Sequence, residues 1–471
     1  MNAFWDNHDD GLMMAAYRDD DGLDHGNDES LGQTRNDSPT TNGHSNNNSN
    51  NAGSSNANSI GVVQLAVVVF YAVSGGPYGV EDSVRAAGIF WALVGFTVMP
   101  LVWSLPEALV TAELSCAFPE ASGSVVWVEK AFGPLAGWIN ACLTYVAGAT
   151  DNSIYPGLFL DYLLGVLWTK QQSGGGSDGD GGGNSSPSTD DDDPISAMQR
   201  YVFIATMTLI LAYINYRGLP VVGNLSTSIC LLAMSPFVVI CLWGIPHIDA
   251  SRWLQQPAIT AAESSFDLSG GLWPNAAVGG VLLRPFLNNL YWNLNSFDSA
   301  GNFAANVSDP ARTFPRAMYG AVVLVTLGYV LPLLVATGTS NAPQQDWKSG
   351  YLATVASDLG GPLLGGWVVL GAAVSNIGMF EAELSSDSYM LMGMADRKYL
   401  PRIFSKRSRH DTPTVGLLFC VLVILACLTN GMATLIEMEN FCYSVYVSTT
   451  RAATGIVTVL FVSVFAAALC F

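Results

Sequence analysis

The sequence predicts an all-α integral membrane protein of ten to eleven spans, arranged as two halves of five, and three observations carry that prediction. Half of the 471 residues are hydrophobic and only 12% are charged, against about 25% charged in a soluble domain, and the mean hydropathy is +0.33. Apolar runs recur at lengths that cross about 30 Å of hydrocarbon, which takes about 20 helical residues. The first and sixth of these runs are interrupted, at corresponding points of the two halves, by turn residues and carboxylates. In order, the runs are 62–87 (interrupted), 88–112, 133–168, 200–216, 219–245, 281–307 (interrupted), 315–337, 362–394, 414–430 and 433–450, with a last apolar stretch at 453–471.

The first interruption reads Tyr71-Ala-Val-Ser-Gly-Gly-Pro-Tyr-Gly-Val-Glu-Asp-Ser83 and the second Tyr291-Trp-Asn-Leu-Asn-Ser-Phe-Asp-Ser-Ala-Gly301. Gly75 and Gly76 reach backbone angles closed to other residues and Pro77 has no N–H, so a helix stops there. Hydrocarbon offers no partner to a freed N–H or C=O; a broken span is tolerated only where it lines a protein cavity or a ligand. Paired breaks point to a transporter's substrate site, and their spacing predicts the five-plus-five inverted repeat of LeuT-type transporters. An ordinary Gly-Pro kink is the competing reading of either break alone. Two breaks in register, each followed by an acid, favour the cavity.

The net charge of −19 is concentrated outside the spans. Residues 1–60 hold ten acids against Arg18 and Arg35, and six aspartates crowd between Asp178 and Asp193. The first segment is too poor in apolar area to fold and is expected to be a disordered, acidic, cytoplasmic tail. Positive charge collects on cytoplasmic loops. Arg217, the pair Arg312 and Arg316, and the set Arg397, Lys398, Arg402, Lys406, Arg407 and Arg409 all follow even-numbered spans, which puts the N-terminus inside. The low-complexity loop 171–194, with a glycosylation sequon at Asn184, then faces outside. On this division residues 61–246 form the first five-helix repeat, 281–450 the second, and 451–471 a divergent apolar C-terminus.

The eight cysteines sit in or beside apolar runs without metal-ligand spacing, and none of the five histidines (8, 25, 44, 247, 410) falls within a span. Neither a nucleophile triad nor a metal site is legible, so no enzyme, cofactor or metal is expected, and nothing points to nucleic acid.

Longer strings give the chain a family resemblance over residues 61–446. They are Ser74-Gly-Gly-Pro-Tyr-Gly-Val-Glu-Asp-Ser-Val84, Trp103-Ser-Leu-Pro-Glu-Ala-Leu-Val-Thr-Ala-Glu-Leu114, Asp151-Asn-Ser-Ile-Tyr-Pro-Gly-Leu-Phe-Leu-Asp-Tyr162 and Asn288-Asn-Leu-Tyr-Trp-Asn293. Phe297-Asp-Ser299, Ser375-Asn-Ile-Gly-Met-Phe-Glu-Ala-Glu-Leu-Ser-Ser-Asp387 and Met394-Ala-Asp-Arg-Lys-Tyr-Leu-Pro401 follow. Together they resemble the polyamine:proton symporters of the amino acid–polyamine–organocation superfamily. The resemblance implies proton-driven uptake of polyamines such as putrescine and spermidine across the plasma membrane. Neutral or cationic amino-acid transport is the alternative within the class, and a non-transporting membrane sensor the alternative outside it. The resemblance also implies that Glu437, Glu439, Tyr443 and Tyr446 lie in a region of substrate contacts, a surface or interfacial role being the other reading. It further implies a C-terminus that would continue past Tyr446 into a basic loop and two more helices, where this sequence runs to Phe471.

An ammonium leaving water must meet carboxylates, carbonyl oxygens or aromatic faces. Ser74, Gly75, Gly76, Tyr78 and Glu81 at the first break, Asp151 and Tyr155 on the third span, and Tyr291, Trp292, Asn295, Phe297 and Asp298 at the second are therefore the expected substrate-binding residues. Glu81 and Asp298, which flank the breaks, are expected to carry the coupling proton; Asp82, Glu107, Glu381, Glu383 and Asp387 are further carboxyl candidates. A pairing of Glu81 with Arg85, one turn on, is the structural alternative for that acid.

Overall fold

Both interruptions are physical gaps between helices. The computed structural model describes residues 59–172, 196–255, 257, 277–278, 280–428 and 432–453. Helix α1 (Val62–Val73) stops at Ser74 and α2 (Glu81–Met99) begins after the gap. Later, α9 (Leu283–Asn293) ends at Leu294 and the chain resumes as a 3-10 segment, Phe297–Asn306. Residues 1–58 of the acidic tail, Asn184 with most of its loop, and 454–471 of the C-terminal stretch lie outside the described residues.

Helix α1 is apolar on every side and is buried from Val67 through Val73, as a helix without a polar face must be. It packs against α8 (Leu219–Gly244), α10 (Pro310–Thr339) and α12 (Pro362–Asp396), placing the first gap at the centre of the molecule. Four helical stretches, Glu81–Ala117, Leu219–His247, Pro310–Thr339 and Pro362–Asp396, are long and apolar enough to cross a membrane. Val62–Val73 and Thr414–Cys427 are shorter apolar helices. Leu209, Leu231, Leu242, Leu418 and Leu422 stand exposed on α7 (Ala197–Tyr216), α8 and α13 (Thr414–Cys427), an apolar exterior suited to hydrocarbon.

Several elements depart from the expected spans, each for a local reason. The run 133–168 is two helices, α5 (Pro134–Asn152) and α6 (Tyr155–Gln172); Pro156 supplies no N–H to the Asn152 carbonyl, and the Ser153 hydroxyl donates to the Thr150 carbonyl at 2.6 Å. Helix α2 is interrupted at Gly88 (φ 78, ψ 170), where the first and second spans were expected to meet. Beyond it a π turn, Pro100–Ser104, leads into α3 (Leu105–Ala117), with the Leu105 amide reaching back to the Pro100 carbonyl. The all-α expectation has one small exception, an antiparallel pair of two-residue strands, β1 (Ala277–Val278) and β2 (Val281–Leu282), separated by Gly280 at φ 81. A ten-residue helix, α11 (Tyr351–Gly360), precedes α12 and is too short to span.

At one end of the molecule a single arginine ties three segments. Arg397, just past α12, donates to Glu120 at 2.6 Å, to Glu129 on α4 (Ser124–Phe132) at 2.6 Å and to the Ser122 hydroxyl at 3.3 Å. Tyr399 donates to the same Glu129 carboxylate at 2.8 Å. Both loops were expected on the cytoplasmic side.

Candidate functional site

The gap after α1 owes its shape to glycine. Gly76 (φ 98) and Gly79 (φ 86) occupy the left-handed region, and a Cβ on Gly75 would lie 2.7 Å from Met379 Cε. The backbone groups freed by the gap find partners inside the protein. Ser74 Oγ accepts from the Gly76 amide at 3.1 Å, and the Tyr78 amide donates to the Gly76 carbonyl at 2.8 Å. Ser375 on α12 donates to the Gly75 carbonyl. The Tyr78 hydroxyl lies between the carbonyls of Ala233 and Val368, at 3.4 and 3.3 Å, joining α8 to α12.

Glu81, only 1% exposed, receives three amides: Gly79 at 2.8 Å on one carboxylate oxygen, and Gly350 and Leu352, both at 3.2 Å, on the other. It therefore joins the first gap to the start of α11.

The second gap turns on Ser296 in the left-handed region (φ 72). Ser104, delivered by the π turn, donates to the Leu294 carbonyl at 2.7 Å, and the Ser296 amide donates to the hydroxyl of Tyr443 on α14 (Met432–Ala453) at 3.0 Å. Asn289 on α9 ties the helix before the second gap to the first gap and to α2, donating to the Gly79 carbonyl at 2.9 Å and accepting from Ser83 at 2.5 Å.

Between the gaps lie two adjoining cavities, of about 210 and 50 Å³, which share Ala72, Asp151, Ser296 and Glu439 as wall residues. The larger takes Ser74, Gly75, Tyr78, Tyr155, Trp292 and Asn295 from the expected set, and the smaller takes Asp298. Gly76, Glu81, Tyr291 and Phe297 line neither. Phe297 is wholly buried in the core, and Tyr291 packs edge-on between Trp103 and Tyr443, at ring separations of 5.2 and 5.7 Å. Among the other carboxyls, Asp82 accepts from Ser349 at 2.8 Å, Glu107 is buried on α3 and outside both walls, and Glu381 turns away to Asn215 at 3.1 Å.

Four carboxyls converge from three helices: Asp151 on α5, Glu383 and Asp387 one turn apart on α12, and Glu439 on α14. Asp151 accepts from the Tyr155 hydroxyl and meets the Glu383 carboxyl at hydrogen-bonding range, whereas Asp387 Oδ2 is buried without a hydrogen-bond partner. Among the described residues no Lys, Arg or His lines either cavity. A concentration of buried carboxyls without an internal cation is an arrangement completed by protons or by a cationic ligand.

Tyr71, Tyr162, Asn376 and Met379 also wall the larger cavity and were not anticipated. For Asn376 and Met379 the signal was the spacing of Ala372, Ser375, Asn376, Met379, Glu383 and Asp387, which traces a single face of α12; Tyr71 on α1 and Tyr162 on α6 carried no such pattern. Glu439, Tyr443 and Tyr446, which the resemblance alone had indicated, are buried in the smaller cavity's wall.

Residues 60–470 match the amino acid permease family. The chain belongs to that family. This permease is 39% identical over 386 residues to the polyamine transporter RMV1 of Arabidopsis thaliana, covering 82% of this chain and 70% of the relative. It is also 39% identical over 387 residues to the polyamine transporter PUT1 of Oryza sativa subsp. japonica, covering 82% and 65%. To the large neutral amino acids transporter small subunit 2 of Homo sapiens it is 26% identical over 380 residues, covering 78% and 62%. The permease thus spans roughly two thirds of the length of the plant relatives.

Proposed function

We propose that this permease is a proton-coupled carrier of polyamines, built on a LeuT-type five-plus-five inverted repeat of ten to eleven spans, with the N-terminus inside and the plasma membrane as its location. The observation that carries the substrate assignment is the cavity wall: carboxyls from α5, α12 and α14 face one space, and among the described residues no basic side chain lines it. Tyr155 and Trp292 add the aromatic faces that a desolvated ammonium prefers. The names of the plant relatives agree with this reading. The two gaps, which line one cavity, support the repeat; residues 61–246 and 281–450 are its halves.

Amino-acid transport is the second reading, favoured by the human relative's name. In such a site the free amides of a broken helix receive the substrate carboxylate. Here the Gly76 amide is taken by Ser74 Oγ and the Gly79 amide by Glu81, which favours a substrate without a carboxylate.

A symported proton must travel with the substrate, and a carboxyl that the ammonium leaves alone can keep it throughout. Glu81 meets that condition because it lies outside both cavity walls. A proton there weakens the charge-assisted bonds to Gly350 and Leu352 and loosens α11 from the start of α2. Asp298, which walls the smaller cavity, meets proton and ammonium in the same place.

Labelled putrescine and spermidine uptake by transport-deficient cells at two external pH values tests the assignment. Uptake is expected to rise at the lower pH and to be competed by unlabelled spermidine rather than by leucine or arginine; the reverse competition would establish the amino-acid reading instead. Glu81→Gln and Asp298→Asn are each expected to lose accumulation against a gradient, and uphill uptake at wild-type level in both would remove these residues from the coupling path.

A further inference from the structure

The binding region is divided, and we propose that its smaller compartment is a second ammonium subsite that selects amines by length and number of charges. The inference rests on the polyamine reading and deepens it. Asp298, Glu383 and Asp387 wall this compartment, with hydroxyls from Ser124, Thr144 and Ser299 between them. Asp387 is 5% exposed, and its Oδ2 has no hydrogen-bond partner. A buried carboxylate oxygen left unpaired forfeits its solvation, so a donor that reaches it gains more than at a surface site.

The volumes assign the parts of the ligand. A cavity needs only about 10–15 Å³ of this kind of space to hold a water, so about 50 Å³ admits an ammonium and the methylene beside it but not a folded chain. The larger space, about 210 Å³, takes the rest of the molecule. Asp151 and Glu439 belong to both walls and therefore meet a cationic centre at the junction, while Asp298 and Asp387 meet one beyond it. Ala72, from the last turn of α1, walls both spaces, and on this proposal its small side chain lets the chain of the ligand pass from one to the other. A monoamine satisfies the junction alone. A diamine or triamine extends past Ala72 and reaches Asp387.

The test is inhibition of labelled spermidine uptake by butylamine, putrescine and spermidine, using the full chain in proteoliposomes. The wild type is expected to prefer spermidine to butylamine by on the order of tenfold or more, since a hydrogen bond to a buried charge carries about 1.5–3 kcal/mol. Asp387→Asn removes the charge at nearly constant volume, and Ala72→Leu closes the passage at constant charge. Each is expected to collapse the spermidine-to-butylamine preference several-fold. Persistence of the preference in both variants overturns the subsite, as does a parallel loss for all three amines. An uptake that fails in the wild type when choline replaces sodium, and loses that sodium dependence in Asp387→Asn, would assign the compartment to an inorganic cation instead. Size-exclusion chromatography checks the fold of each variant; should Asp387→Asn aggregate, Ala72→Leu decides alone. A wild type that transports leucine and no amine overturns the polyamine reading itself, and with it the subsite.

Discussion

Gly148 on α5 leaves the space that the Asp387 carboxylate fills. A Cβ there would lie 2.5 Å from Asp387 Oδ1 and 3.0 Å from Oδ2. Because the atoms in the way end a side chain, Gly148→Ala is expected to push the carboxylate aside with little cost in stability. Spermidine uptake should fall about tenfold while the melting temperature in detergent moves by about 2–4 °C or less, the effect of about 1 kcal/mol on a domain of 150–250 residues. Unchanged uptake would show that Asp387 does no work. Gly393 is the contrasting case, since its Cβ would sit 2.2 Å from the Ala121 carbonyl oxygen, which is backbone and cannot swing away. Gly393→Ala should therefore destabilise by about 1–3 kcal/mol, measured by thermal melting of the purified protein. Neither glycine is distinguishable in the sequence from the others, because the atom that makes each indispensable comes from a distant part of the chain. Gly75 and Gly76 were legible because their neighbour Pro77 marks the break locally.

At the scale of elements, the loop before α4 and the loop after α12 are held together through Arg397, Glu120 and Glu129. Burial pushes the Glu129 carboxyl up, but hydrogen bonds from Tyr399 and Arg397 and the Arg397 charge prevail and hold it below the usual glutamate range. A carboxyl lowered in the folded state stabilises above its unfolded value, and that stabilisation is lost as pH falls through the lowered value. The tie is thus intact at neutral and weakly acid pH and lost only below the ordinary glutamate range. Arg397→Ala is expected to speed hydrogen exchange across residues 118–132 at pH 7, with the difference from wild type closing in stronger acid; equal exchange at pH 7 would show that the tie carries no load. The basic residues of this loop were legible as an orientation signal, but not the acids that one of them meets. The split between α5 and α6 was obscured by a continuous apolar run, and α11 by its shortness. The breaks themselves were legible because two interruptions fall in register, each followed by an acid, where Gly-Gly-Pro alone could have been a kink.

For the molecule as a whole, Asn289 connects α9, the helix before the second gap, to the first gap and α2 by serving the Gly79 carbonyl and the Ser83 hydroxyl at once. Asn289→Ala leaves that carbonyl without its donor, for about 1–3 kcal/mol of lost stability. Thermal melting should record that loss together with reduced uptake, whereas wild-type values for both would mean that the gaps are held in place by packing alone. A second link runs from the Ile60 amide, just before α1, to the carbonyl of Asn306, where the 3-10 segment after the second gap ends, at 3.2 Å.

The sequence by itself determined the helical membrane class, the positions of both breaks and the acidic character of what surrounds them. Those follow from local rules: hydrophobic length, the backbone freedom of glycine, the missing N–H of proline and the cost of a carboxylate in hydrocarbon. Only the tertiary structure decided which acids share a space. It drew Asp151, Glu383, Asp387 and Glu439 together from three helices, and it set Glu81 apart under the amides of Gly79, Gly350 and Leu352. The reason is that convergence depends on which face each helix turns toward α12. That orientation is settled by packing between residues far apart in the chain, and a single sequence carries no record of it.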